Sequence, residues 1–523
     1  MIFKLFAGFV VGLMALAQEA SAQAVCEATG SARCFYIDPA KGADIHTGSF
    51  ASPWKTFANI QSYYQSNWRP AGWVNVQPGD FIYLRAGVHN TTRTPGDATG
   101  PSGGTRAIAY FRDWPLNAQS GTQGAPIHLK SYPGERAIIG DIDTEAYGHG
   151  LYLLGAKWWE VSDIEFRNIP GDCVTLPGSS DLKVWNLQVH DCARKDTDGN
   201  PAGIKLTGSS RVEIFNSKFY DTFSDPTLAP PPAGSGTWFL RGAGIQLFQG
   251  ADHTIHDNVF TNTKQGKDPQ GQNAGFANCM FQKHAQQFVD AYLKVYNNAF
   301  NNCRMAFGSG TQNTWFHHNI ITNSSSSITV ADFGGITYQV NQLYEYNTIV
   351  NSKAFTMGPS MTPYNNLFPI LPKNIVYRNN ITVDHATSYN TENNIVDIGT
   401  YMDDTHFDAS AAALSFSNNC YYNPNTQPRF QMGAGNNNSQ NTRPQYGVKG
   451  GVYEWSQWQS LSNNGQALHY DANSIIANPL FINEAAQDFR LQSSSPCRAM
   501  GAYAQSVSNT AAPAPPQGLK TSR

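Results

Sequence analysis

LKVWNLQVHD (182–191), VEIFNSKFYD (212–221), HTIHDNVFTN (253–262), LKVYNNAFNN (293–302) and TWFHHNIITN (314–323) are five versions of one pattern. Each is a short strand that closes near an Asn and leads into a variable loop. A second set of short apolar strands precedes them, at Cys173–Leu176, Gly203–Leu206, Gly244–Leu247, Cys279–Lys283, Arg304–Phe307 and Ser327–Val330. No apolar helix separates the units. A sustained repeat of short strands predicts an all-β chain coiled as a single-stranded parallel β-solenoid, closed by short capping helices.

The pattern extends in both directions. Downstream it continues at LYEYNTIVNS (343–352), IVYRNNITVD (375–384) and FSNNCYYN (416–423). Upstream, strands are expected at 81–84, 127–129, 137–140 and within 151–166. The spacing of Trp54, Phe57, Ile60 and Tyr64 predicts an amphipathic helix within an N-terminal cap of about 34–70. Residues 453–463 predict a helical cover inside a closing region of about 450–500, and 479–481 with 488–491 the last strands. Asn186, Asn216, Asn258, Asn298, Asn319, Asn347 and Asn379 recur at one turn. They read as structural, because Asn tolerates left-handed turn geometry and its amides bond between stacked coils.

A solenoid permits one domain, here 23–508, in a 523-residue chain, since each coil packs only on its neighbours. The net charge of −3 argues against a nucleic-acid partner. Residues 1–22 read as a secretory signal: Lys4, an apolar run from Leu5 to Leu16, then Ala20-Ser21-Ala22. The apolar run is short for a membrane span. The expected mature chain is exported and monomeric, with a disordered Ala/Pro-rich tail over 509–523. Eight cysteines suit an oxidising compartment. Cys26 with Cys34, Cys173 with Cys192, Cys279 with Cys303 and Cys420 with Cys497 are plausible pairs, but spacing does not choose among connectivities.

Alternation assigns side chains to faces. If Val174, Ile204, Ile245, Met280 and Met305 point inward, then Thr175, Lys205, Gln246, Phe281 and Ala306 point outward, with Lys283 and Arg304. On neighbouring rungs, Lys283 and Arg304 are expected to reach one sugar. Loops 192–202, 222–242 and 263–276 should wall this ladder into a cleft, with Trp238 as a sugar platform and Arg241 as a carboxylate partner. A sugar hydrolase needs two opposed carboxylates, and the outward ladder has none. Asp172, Asp196, Asp198, Asp268 and Asp332 lie in loops and turns. β-Elimination on a uronic-acid polymer instead needs a neutralised carboxylate and a base, a role that suits lysine. No HExxH, CxxC pair or phosphate-binding glycine loop is present.

YIDPAKGAD (36–44), SPWKTF (52–57), PGDFIYLRAG (78–87), APIHLKSYPGE (125–135) and the closing stretch 478–501 resemble bacterial right-handed parallel β-helix proteins, many of which degrade extracellular polysaccharides. The segment 279–310 resembles the catalytic coil of the alginate lyase and chondroitinase B group of polysaccharide lyases. Lys283-His284 matches that group's Lys-Ser pair and Asn298-Ala299-Phe300 its turn, which implies Lys283 as proton-abstracting base with Arg304 or His284 assisting. Two features depart from the group: the expected arginine aligns near Phe307-Gly308, and the acidic calcium ligands are missing. Asn278, Asn273 and Gln246 stand in their place, so amides, Arg or Lys are expected to neutralise the carboxylate, with calcium elsewhere left open. The reading is a secreted lyase acting on an extracellular acidic polysaccharide. A glycoside hydrolase using Asp196, Asp198 or Asp268, and a non-catalytic glycan-binding protein, are the alternatives.

Overall fold

The computed structural model describes residues 25–504 apart from 93–105, 145–147, 196–201, 224–241, 268–272, 284–290, 311, 331–338, 358–371, 386–393, 399–410, 433–450 and 464. The expected signal over 1–22 and the expected tail over 509–523 lie outside the described residues.

The chain winds as a right-handed parallel β-helix with three faces. The first runs from Ala107–Arg112 through His149–Leu154, Val174–Pro177, the start of Ala202–Phe215, Ala243–Ala251, Asn278–Lys283 and Met305–Ser309 to Arg429–Met432. The second carries Ser180–Trp185, the end of Ala202–Phe215, Thr254–His256, Leu293–Tyr296 and Thr314–His317. The first two merge into one 23-stranded sheet, because Ala202–Phe215 runs through the bend between them. The third face is a separate 12-stranded sheet that includes Lys218–Tyr220, Val259–Thr261 and Ala299–Asn301.

Alternation explains the core. On the first face Val174, Ile204, Ile245, Met280, Phe307, Ile328 and Phe355 share one register line, and all are fully buried. On the third, Phe219, Phe260 and Phe300 stack with centroids 4.8 Å apart. Each such side chain contributes roughly 1.5–3 kcal/mol by leaving water. Glycine is required where the first face turns its corner: a Cβ on Gly244 would stand 2.9 Å from the Cys279 carbonyl oxygen.

The expected Asn ladder forms, divided between two adjacent positions. Asn186, Asn216 and Asn379 hold the left-handed turn position, with φ between 50° and 56°. One residue later, Asn258, Asn298, Asn319, Asn347, Asn380 and Asn419 are buried. The backbone N–H of Asn258 donates to Asn298 Oδ1, that of Asn298 to Asn319 Oδ1, and that of Asn319 to Asn347 Oδ1, each at 3.0 Å. The line ends on the buried Asp471, which accepts from Asn419, Tyr421, Trp458 and Ser474.

Three expectations are corrected. The helix over Trp54–Tyr64 is only a 3-10 turn at Phe57–Asn59. Asn59 Nδ2 is drawn to the Asp44 carbonyl and Ser62 N–H to that of Tyr110, so Trp54, Phe57 and Ile60 are buried around a turn. Met280 pairs with Phe307, not with Met305. Ala306, expected outward, is fully buried and belongs to the hydrophobic core. Third, Arg304 does not stand beside Lys283. Its N–H donates to the Ala277 carbonyl, placing it six residues back along the strand, about 20 Å away.

The cover helix is Trp455–Gln459, whose Trp458 stacks on Phe430 at 4.8 Å. The closing strands Phe481–Asn483 and Asp488–Leu491 pair antiparallel. Cys26–Cys34, Cys173–Cys192, Cys279–Cys303 and Cys420–Cys497 are all disulfide-bonded.

Candidate functional site

The outward side of the first face carries a continuous register line: Tyr110, Tyr152, Thr175, Lys205, Gln246, Phe281, Gly308, Thr329. Strand pairing spaces these about 4.8 Å apart, so the line is roughly 30 Å long. Lys283 belongs to the next line, paired with Phe248, and its Nζ lies 5.7 Å from the Phe281 ring centre. From Lys205 to Lys283 is two rungs across and two residues along, about 12 Å between backbones. Two extended lysine side chains are together long enough to span that gap.

Around Lys205 the line is polar and enclosed. Its ammonium stands 3.6 Å from Asp172 Oδ2. Asp172, 1% exposed, also accepts the Ala202 N–H at 2.9 Å. His149 Nδ1 lies 4.0 Å from the same carboxylate and 3.2 Å from Thr175 Oγ1. Burial chiefly, and then Lys205, holds the His149 pKa below its usual value, against the pull of Asp172. Burial raises the Tyr152 phenol, so both rings are neutral near pH 7. Gln246 is fully buried.

The structure thus groups Lys205, Gln246 and Lys283, and separates them from Asn278 and Arg304 at the far end of the strands. Asn278 is buried, with its N–H on the Gly242 carbonyl. Asn273 lies in the short strand Asn273–Gly275, paired with Gly266–Lys267. Trp238, Arg241 and His284 lie outside the described residues, as do Asp196, Asp198, Asp268, Asp332 and most of the expected loop wall. His149, Tyr110, Tyr152 and Arg112 were missed by sequence reasoning. Extending the alternation into AIAYFR (107–112) and HGLYLL (149–154) finds them.

The donors do not suit calcium, which takes six to eight oxygen ligands, carboxylates foremost. Lys205 and Gln246 occupy the row, and among the described residues no three His, Cys, Asp or Glu side chains converge. Carboxylates are equally sparse: Asp397 lies on the same line but seven rungs beyond Thr175, and is held by Lys353 at 3.1 Å.

A second outward line, Trp185, Phe215, His256, Tyr296 and His317 on the second face, forms a continuous ring stack at 4.9–5.7 Å. The stacked faces are turned to each other and hidden from a sugar, so the stack serves stability. His318, with φ 54°, holds the left-handed turn position just before Asn319 of the ladder.

Fold and site together define a parallel β-helix protein with an enclosed polar strip on one face. Residues 148–305 match the family described as right handed beta helix region. Among solved structures, the chain is similar to an alginate lyase from Paenibacillus sp. str. FPU-7: 13% identity, 67% of this chain and 93% of that one, TM-score 0.37. It is similar to a mannuronic acid specific polysaccharide family 6 lyase from human gut microbiota: 12% identity, 75% and 80%, TM-score 0.39. A lacto-N-biosidase from Eubacterium ramulus gives 12% identity, 75% and 64%, and TM-score 0.38. No curated protein sequence matches the chain. These distant likenesses assign no residue a role.

Proposed function

We propose that this protein is an exported polysaccharide lyase that cleaves a uronic-acid polymer by β-elimination. The observation that carries the reading is the strip itself: Lys205 and Lys283 flank one stretch of it, and its register line from Tyr110 to Thr329 holds no Asp or Glu. Lys205 would face the sugar carboxylate and stabilise the charge that develops on it, with the buried Gln246 on the next rung. Lys283 would take the C5 proton. The electrons released form the C4–C5 double bond as the C4–O bond breaks, and His284 is the proposed proton donor to the leaving oxygen. In this role Arg304 would act only from the far end of the strand. Four disulfides support folding in an oxidising compartment. Among the described residues no helix is long and apolar enough to cross a membrane.

The test is a panel of uronate polymers followed by ultraviolet absorbance of the unsaturated product. Absorbance gain that is lost in Lys283→Ala is expected. New reducing ends without absorbance would make the protein a hydrolase, and binding without either would make it a glycan-binding protein.

A further inference from the structure

We infer that Arg112 and Trp114 form a separate subsite for a carboxylate-bearing sugar, at the N-terminal end of the same face. The guanidinium of Arg112 is almost wholly enclosed: the residue is 4% exposed, and its Nε has no hydrogen-bond partner. Its surroundings are aromatic. The Tyr64 ring centre lies 4.5 Å away and that of Trp114 5.0 Å. Among the described residues no carboxylate pairs with it. Buried cations are ordinarily paired, because removing a charge from water is costly, and ring faces offset only part of that cost. An enclosed guanidinium without a counter-ion is the form a site takes when its anion arrives with the ligand.

The geometry specifies the anion further. A guanidinium presents a planar fork that matches a carboxylate in two parallel hydrogen bonds. Beside it Trp114 is 56% exposed, a flat apolar surface for the C–H face of a sugar ring. The loop presenting it is tied down. Asn117 and Ala118 N–H bond the Trp114 carbonyl at 2.8 and 2.7 Å, Asn117 Nδ2 bonds the Tyr63 carbonyl at 2.9 Å, and Arg69 bonds the Leu116 carbonyl. The Arg112 N–H is itself fixed on Ser62 Oγ at 2.8 Å.

Register places this subsite relative to Lys283. Arg112 pairs with Leu154, whose rung meets Pro177 through the Gly155 N–H; Pro177, Thr207, Phe248 and Lys283 follow in line. Five rungs put the two groups about 24 Å apart on one face. A chain of several acidic sugars lying along the strip would engage both ends. The inference rests on the acidic-saccharide reading but not on the chemistry at Lys283.

The experiment is equilibrium binding of size-graded alginate and polygalacturonate oligosaccharides, with neutral gluco-oligosaccharides alongside, to protein carrying Lys283→Ala so that nothing turns over. In that background, Arg112→Gln and Trp114→Ala are each expected to lose about tenfold or more in affinity for long acidic oligomers. Binding of short acidic oligomers should be unchanged, and Arg112→Lys should recover part of the loss. If either variant binds the long oligomers as tightly as its parent, the subsite is wrong. Should Arg112→Gln fail to fold, the exposed Trp114→Ala decides. Length-dependent binding lost in Trp114→Ala, with no unsaturated product from the unsubstituted enzyme, keeps the subsite and sinks the lyase reading. No binding of any acidic oligomer overturns both.

Discussion

The Lys205 ammonium and the Asp172 carboxylate stand 3.6 Å apart, with Asp172 nearly sealed from water. Removing one member of such a pair strands the other. Lys205→Met should lower unfolding free energy by about 3 kcal/mol. Adding Asp172→Asn should restore much of that loss. A double-mutant cycle by denaturant melts measures the coupling, and additive effects would dismiss it.

Lys283→Ala should reduce formation of unsaturated product by at least about a hundredfold, the contribution expected of a positioned general base. Thermal unfolding should be unchanged, since the side chain lies on the outward side of the strand. Comparable initial rates on a purified uronate polymer would remove Lys283 from the mechanism.

The Asn ladder makes a sharper stability prediction. Asn319→Ala removes the acceptor for the Asn298 N–H and the donor to the Val295 carbonyl, both buried. A loss of about 2–4 kcal/mol follows from orphaning two buried groups. Asn379→Gly, at the left-handed position next to the ladder, should cost under about 1 kcal/mol. Similar losses at both sites would mean that the amide line carries no special share.

His253 is fully buried and accepts the Val212 N–H on Nδ1, and burial pushes its pKa down to about 3. The unfolded chain therefore takes up a proton near pH 6.5 that the folded chain refuses. Stability from this group is complete above that pH and falls as the pH drops towards 3. Between pH 7.5 and 5 the loss should be about 2 kcal/mol. It should shrink in His253→Gln, as read from urea melts at the two pH values.

Cys279 and Cys303 close a loop of sequence separation 24 between adjacent coils. Replacing both by Ala should cost roughly 3 kcal/mol through the unfolded state. Circular dichroism should still report a β-helix, because the core lines on the three faces remain.

Much of the fold was legible because the repeat is local. Alternation within four residues, such as Gly244–Leu247, states which side chains enter the core, and the repeat itself states that coils stack. Two of the disulfide pairs, Cys173–Cys192 and Cys279–Cys303, followed from that stacking as possibilities. The helix at Trp54–Tyr64 was misread because apolar spacing there describes a turn pulled into shape by Asp44 and Tyr110, which are distant in sequence. At Met305 the error was one of register. Loop length hides how far a chain advances before it rejoins the sheet: Phe307, not Met305, meets Met280, and Arg304 falls opposite Ala277.

The sequence by itself determined the architecture and most of the outward ladder, since both are read from periodicity. Only the tertiary structure decided which outward residues share a neighbourhood. Parallel pairing sets Lys205, Gln246 and Lys283 together and carries the line upstream to Tyr152, Tyr110 and the enclosed Arg112. Hydrogen-bond register between coils, fixed by contacts tens of residues apart, has no local signature in the chain.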